Sequence, residues 1–317
     1  MRFTDFLNHP TVISAGMKLA QALPQGGGYR LARLFASAVC RFKPAMYHVV
    51  RNNLRQVLGP EAGEERLDAT TYSLFVHAGR ANYDFFRLIG RSAEEIARVV
   101  SFSPAALDRL REALADKRGA LLLGTHMGNF NLAIPALYGQ VDAPIQVLSV
   151  AQPNEGFTLL NRQRIKWGLE VTPISPQALR QAIRRLQDGG AVLTAFDFPI
   201  RENSTLIPFF GRPAYFPLGP ARLARLTNAV VLMGSCRYDP ERGYVVRADS
   251  IELERTDDRQ QDVLNNSRRM ARVLERYVAE NPDQWLMFYP FWPEAGDEGA
   301  YERGDYPQPG LIEPASN

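Results

Sequence analysis

Cysteine is nearly absent. Only Cys40 and Cys236 occur in 317 residues, and neither stands in a Cys-x-x-Cys or Cys/His grouping. A disulfide framework and a thiolate metal site are therefore excluded, and both thiols read as reduced core residues of a chain in a reducing compartment. Histidine is limited to His9, His48, His77 and His126, and of 37 basic residues only Lys18, Lys43, Lys117 and Lys166 are lysine. No run approaches the ~18 apolar residues that suggest a spanning helix. A basic N-terminal region leading into a long apolar stretch is also missing, so no signal peptide is expected. The chain has no P-loop and no Gly-x-Gly-x-x-Gly segment, which argues against a nucleotide cofactor. No His/Cys/Glu group has metal-ligand spacing. Neither cofactor nor metal is expected. The net charge of +3 is too small to argue for nucleic acid. The expected location is the cytoplasm, with peripheral contact on the inner face of the cytoplasmic membrane allowed.

What is present is apolar content of 45%, enough for one large α/β domain with helical additions. Residues 1–99 read as a helical region. Val12–Leu23 carries an apolar stripe, Pro24-Gln-Gly-Gly-Gly28 is expected to break it, and Tyr29–Phe42 and Thr70–Ile89 follow as helices. From residue 100 to 293 short apolar runs alternate with amphipathic segments. Ala120–Gly124, Pro144–Val150, Glu170–Ile174, Ala191–Phe196, Ala229–Gly234 and Tyr244–Arg247 read as strands, with helices between them and a long one over Asp262–Ala279. This alternation predicts a layered, largely parallel central sheet flanked by helices. Residues 294–317, rich in Gly, Pro and acidic side chains, are expected to be a disordered tail. In such sheets chemistry collects beyond the carboxyl ends of strands. His126 and Asp197 both fall there.

For an isolated histidine, a satisfied loop residue is the safer reading. The segment around His126 is more specific. Gly124-Thr-His-Met-Gly-Asn-Phe-Asn131 resembles the first block of the lipid A lauroyl/myristoyl acyltransferases, relatives of the glycerolipid acyltransferases, in which His is followed after four residues by Asp or Glu. Further blocks occur in order. Arg51-Asn-Asn-Leu54 resembles the family's N-terminal Asn-Leu segment, and Asn161-Arg-Gln-Arg164 the block that carries its arginine. Asp197 with Pro208-Phe-Phe-Gly-Arg212 resembles the third block, and Asn281-Pro-Asp-Gln-Trp285 the closing one. The resemblance runs from about Phe3 to Trp292. It implies a glycerolipid acyltransferase-like fold, an acyl carrier protein or acyl-CoA donor, and a lipid acceptor.

Acyl transfer from a thioester needs a base for the attacking hydroxyl or amine, and histidine titrates near working pH. The resemblance gives His126 that role, with Asn131, Arg164 and Asp197 as its catalytic neighbours. Gly128, Asn129, Phe209, Phe210, Gly211 and Arg212 become candidates for substrate binding. Residues 126 and 131 would stand about 140° apart on one regular helix. Residue 131 is therefore expected to orient the imidazole only if His126 sits in the turn ahead of the helix. Backbone N–H groups at that helix start, with Arg164, are candidates for the oxyanion site. Phe209 and Phe210 read equally as the border of an acyl-chain pocket and as core packing. Asp197 reads as a second acidic group or as a cap, and Trp285 as a packing anchor.

This chain carries Asn where the family pattern has Asp or Glu. An amide can accept a hydrogen bond but cannot neutralise an imidazolium. Three explanations stand open: Asp197 supplies the missing charge, the acceptor is more easily deprotonated, or the chain binds without turnover. They correspond to three readings of function. The first is transfer of a fatty acyl group to a hydroxyl of a glycolipid or lysophospholipid. The second is acylation or condensation on an amine or hydroxyl of a carrier-bound specialised metabolite. The third is a non-catalytic lipid- or carrier-binding homologue.

Overall fold

Short, wholly apolar runs must be covered on both faces, and here a mixed sheet provides that cover. The computed structural model describes residues 10–141, 143–150, 155–199 and 203–292. His9 and the tail from Glu294 lie outside the described residues. Four helices come first: α1 (Pro10–Ala22), α2 (Gln25–Phe42), α3 (Ala45–Leu58) and α4 (Glu64–Leu88). A short α5 (Ala93–Ala97), β1 (Val100–Phe102) and α6 (Pro104–Ala115) lead into the layered part. There β2 (Ala120–Gly124), α7 (Phe130–Tyr138), β3 (Ile145–Ser149), α8 (Glu155–Lys166), β4 (Glu170–Pro173), α9 (Pro176–Gln187) and β5 (Ala191–Ala195) alternate. A hairpin of β6 (Ser204–Phe209) and β7 (Arg212–Pro217) precedes α10 (Gly219–Thr227), β8 (Val230–Asp239), β9 (Gly243–Ile251) and α11 (Arg259–Glu280).

The seven-stranded sheet has the order β1-β9-β8-β2-β5-β3-β4. Its central strands β8, β2, β5, β3 and β4 are parallel, while β9 runs antiparallel to β8 and carries β1 parallel to itself. The predicted layered, largely parallel sheet with an N-terminal helical region is thus observed. The expected break is observed at Leu23–Pro24, between α1 and α2. Only its extent is corrected: α2 starts at Gln25, not at Tyr29, so Gln25-Gly-Gly-Gly28 forms its first turn. The reason is space. A Cβ on Gly28 would lie 2.2 Å from the ring of Tyr83 on α4, so the glycine lets the two helices approach.

The helical region is tied to the sheet through Asp84. This buried carboxylate accepts from the Tyr29 hydroxyl at 2.9 Å and the Tyr244 hydroxyl at 2.7 Å, joining α2, α4 and β9. Burial raises its pKa, and the two hydroxyls with Arg80 and Arg87 offset part of the effect. A carboxyl whose folded pKa is raised contributes stability below the unfolded pKa of about 3.9, and loses it as pH rises through the folded value. Asp84→Asn keeps an acceptor oxygen for both tyrosines and carries no charge. Its melting temperature is expected to gain on the parent between pH 4 and pH 8, by about 2–4 °C for each ~1 kcal/mol. A pH-independent difference in thermal unfolding would count against this account.

Candidate active site

The sheet register brings the central pair together. In the parallel pairing of β2 with β5, Gly124 lies opposite Ala195. Two residues beyond each strand end stand His126 and Asp197. The Asp197 side chain is fully buried and receives three donors. The His126 backbone N–H reaches Oδ2 at 2.8 Å, the His126 ring Nδ1 meets Oδ1 at 2.7 Å, and the Trp285 indole N–H reaches Oδ2 at 3.0 Å. An ionised carboxylate only accepts, so Nδ1 carries the ring proton and Nε2 is left as the basic nitrogen. The ring is partly exposed and is flanked by Phe130 and Phe198, at centroid distances of 4.8 and 5.8 Å.

The loop bearing His126 is held along its backbone. Leu286 N–H donates to the His126 carbonyl at 2.8 Å, and Gly128 N–H to the Gln284 carbonyl at 2.9 Å, making a short antiparallel bridge between Met127 and Trp285. Gln284 in turn receives the Tyr238 N–H and donates to the Tyr238 carbonyl. The segment after Trp285 is fixed by Asn53 of α3. Its amide donates to the Met287 and Tyr289 carbonyls and accepts from Phe291 N–H. Two sequence blocks far apart in the chain thus converge on the histidine loop. The contact of Trp285 with Asp197 was not foreseen. Its signal was the spacing of the closing block, which by composition reads only as a packing anchor.

Asn131 is not where the motif suggests. Its side chain leaves the first turn of α7 toward α8, and its Oδ1 accepts from Arg164 Nη2 at 2.9 Å. The expected orientation of the imidazole by residue 131 is therefore replaced by Asp197, because the strand register points the ring toward β5. Arg164 Nη1 also reaches Asn161 Oδ1 at 3.0 Å, and Asn161 Nδ2 reaches Ser149 Oγ at 3.4 Å. Desolvation pushes the Arg164 pKa down to about 10, which leaves the guanidinium charged at neutral pH.

Gly128 and Asn129 lie beneath the loop. Gly128 has φ of +53°, and buried Asn129 donates from Nδ2 to the Ala81 carbonyl at 2.9 Å, so its side chain does not cap α7. The N-terminus of α7, four residues after His126, therefore carries first-turn N–H groups and no side-chain cap. Phe209 is fully buried in an aromatic cluster with Phe216, Trp285, Phe291 and Trp292. It stands behind the site, one ring away from the Trp285 that holds Asp197. Phe210 and Gly211 form the two-residue turn between β6 and β7. The Phe210 carbonyl accepts from Gln56, its N–H donates to Glu275, and Arg212 reaches Gln56 at 3.5 Å. Among the described residues no group of three His, Cys, Asp or Glu side chains could hold a metal ion.

A sequence model described as bacterial lipid A biosynthesis acyltransferase matches residues 5–294. A phosphatidylinositol mannoside acyltransferase of Mycobacterium tuberculosis (strain CDC 1551 / Oshkosh) is 27% identical over 248 residues, covering 77% of this chain and 76% of the relative. The protein of the same name from Mycolicibacterium smegmatis is 25% identical over 302 residues, covering 87% and 95%.

Proposed function

Given that the chain belongs to the bacterial lipid A biosynthesis acyltransferase family, and is thus an acyltransferase, we propose that it moves a fatty acyl group from a thioester donor, acyl carrier protein or acyl-CoA, to a hydroxyl of a glycolipid, with His126 as general base. The carrying observation is the His126–Asp197 pair at adjacent strand ends, with its basic Nε2 facing outward. The acceptor hydroxyl gives its proton to Nε2 as its oxygen bonds to the thioester carbonyl carbon. Asp197 stabilises the imidazolium that forms. The tetrahedral oxyanion is met by first-turn N–H groups of α7. Collapse breaks the C–S bond, and the thiolate takes the proton back from Nε2. Asp197 gives His126 the carboxylate that Asn131 lacks, which favours turnover over mere binding. The two relatives named for acylating a phosphatidylinositol mannoside favour a glycolipid over a carrier-bound metabolite. The test is acyl transfer from a radiolabelled acyl thioester to glycolipid by the parent and by His126→Ala. Retained turnover in a folded variant would sink the assignment.

Such an acceptor sits in a bilayer, and we propose that α2 meets it. Among the described residues no helix is long and apolar enough to cross a membrane. Leu31, Leu34 and Phe42 of α2 are exposed nonetheless, Phe42 to 80%. At 100° per residue they fall within about 80° of arc, with Arg30 and Arg41 along one edge. An apolar strip edged by arginine suits the interface of an anionic bilayer. Leu34→Glu with Phe42→Glu is expected to cut cosedimentation with vesicles containing anionic phospholipid by about tenfold or more, without lowering thermal stability. Unchanged vesicle binding would remove α2 from the interface.

A further inference from the structure

Among the described residues Arg164 is a cation without a carboxylate partner. Other partly buried arginines have one: Arg225 with Asp262, Arg185 with Glu170, and Arg51 with Glu64 and Asp68. Arg80 lies over the rings of Tyr29 and Tyr238, at 4.8 and 4.0 Å. Arg164 instead meets two amide oxygens, those of Asn131 and Asn161, and among the described residues no carboxylate lies within ion-pairing distance. Removing a charge from water without a counter-ion is costly, and a neutral pair of amides returns only part of that cost. Yet the cation is kept on the helix facing the first turn of α7, five residues along from His126.

Residue 131 decides the sign of this corner. Because Arg164 can only donate, the Asn131 amide must turn its oxygen to the guanidinium, which leaves its NH2 as a further donor at the same corner. An aspartate there would neutralise Arg164 and present only acceptors. Asparagine changes the local charge by one positive unit and exchanges an acceptor for a donor. Both changes favour an oxyanion and disfavour a neutral polyol.

We propose that Arg164 and Asn131 form an oxyanion-binding subsite for the acceptor, so that this enzyme acylates a hydroxyl whose neighbouring group is a phosphate or a carboxylate. The inference rests on the acyltransferase reading and deepens it. The acceptor is favoured over the donor as the source of the anion, because Asn131 stands on the first turn of α7, the helix that directly follows the His126 loop. The phosphate of a pantetheine donor lies at the far end of its arm from the thioester. A planar guanidinium suits either oxyanion, and phosphate offers it more acceptor oxygens.

Two measurements on the full chain test this. The first uses inorganic phosphate alone, with binding to the parent, Asn131→Asp and Arg164→Gln followed by calorimetry. Binding to the parent that weakens tenfold or more in both variants is expected. Asn131→Asp is close to isosteric, so its loss cannot be ascribed to packing. The second compares a phosphate-bearing glycolipid acceptor with its neutral counterpart, and a carboxylate-bearing one with the same neutral compound. KM for the anionic acceptor relative to the neutral one is expected to rise at least tenfold in Asn131→Asp, and free phosphate should compete with the acceptor. Equal phosphate binding by parent and Asn131→Asp, an unchanged KM ratio, or competition of phosphate with acyl-CoA in place of the acceptor would each overturn the subsite. These outcomes leave the enzyme assignment standing if His126→Ala still abolishes transfer. Phosphate binding that behaves as expected in a chain without turnover would overturn the enzyme assignment and leave the anion site.

Discussion

Asp197→Asn is expected to lower acyl transfer by about three to four orders of magnitude, a loss close to that from His126→Ala. The size follows from donor and acceptor counting. Asp197 faces three donors: the His126 N–H, the His126 ring N–H and the Trp285 indole N–H. An amide has one acceptor oxygen and one donor group, so its NH2 must face a donor somewhere. Turned to the ring, it forces Nδ1 to accept, which moves the proton to Nε2 and removes the base. Turned to Oδ2's partners, it opposes both the backbone N–H and the indole. The first outcome parallels the triad in which aspartate-to-asparagine costs about 10⁴ in kcat through the wrong tautomer. The second leaves two donors unsatisfied, at about 1–3 kcal/mol each. Thermal unfolding therefore separates them: lost activity with little change in stability indicates the tautomer, and lost activity with a lowered melting temperature indicates the displaced loop. Residues acting as a unit are not additive, so the Asp197→Asn, His126→Ala double variant is expected to be no slower than His126→Ala alone. Near-parental activity in Asp197→Asn would remove Asp197 from the mechanism.

The exchange of roles between Asn131 and Asp197 marks where sequence stops being informative. His126 was legible because a buried run, Ala120–Gly124, ends just before it and a helix begins just after. Asp197 was legible as a strand-end acid. Their partnership stood only as one of three explanations, because choosing it depends on β2 and β5 being neighbours, and strand order is a tertiary property set by helix crossovers. Given that adjacency, the Gly124–Ala195 register places 126 beside 197 by counting alone. The motif directed attention to residue 131 because it is near in sequence, yet the turn into α7 sends that side chain to Arg164.

A similar division holds for the fold. The strands β2, β3 and β5 declared themselves as apolar runs bounded by turns, since both of their faces are covered. The β6–β7 hairpin did not, because Pro208, Pro213 and Pro217 sit in its strands and proline argues against a strand in any but an edge position. It is a two-stranded sheet with edges on both sides, where those prolines are tolerated. β1, at three residues, is too short to carry a pattern. The clamp of Asn53 on residues 287–291 was invisible for another reason. A single buried asparagine in a helix has no periodic signature, and its partners lie more than 230 positions away.

Gly128→Ala is expected to remove about 99% of activity or more while the rest of the chain stays folded. Gly128 sits at φ +53°, where a residue with a Cβ costs about 1–2 kcal/mol. A Cβ there would also lie 2.6 Å from the Cys236 carbonyl oxygen and 3.0 Å from its carbon. That backbone belongs to β8 and is paired there with Val246 of β9, so it cannot yield cheaply. On its other side Gly128 is bound through its N–H to Gln284. The loop must therefore lift, and His126, two residues away, lifts with it. Misplacing a catalytic group by about 1 Å costs on the order of 10²-fold in rate. The control is Gly59→Ala at the end of α3, where φ is +77° but nothing lies within 4 Å of the added carbon. That variant bears a backbone cost without the close contact, so it is expected to lose thermal stability while only Gly128→Ala loses turnover. The loss should fall on kcat more than on the donor's KM, since the loop positions the base and leads into the N–H groups that meet the oxyanion, both of which act in the transition state. Equal activity in the two variants would show that the close approach of the His126 loop to β8 has no part in setting the catalytic geometry.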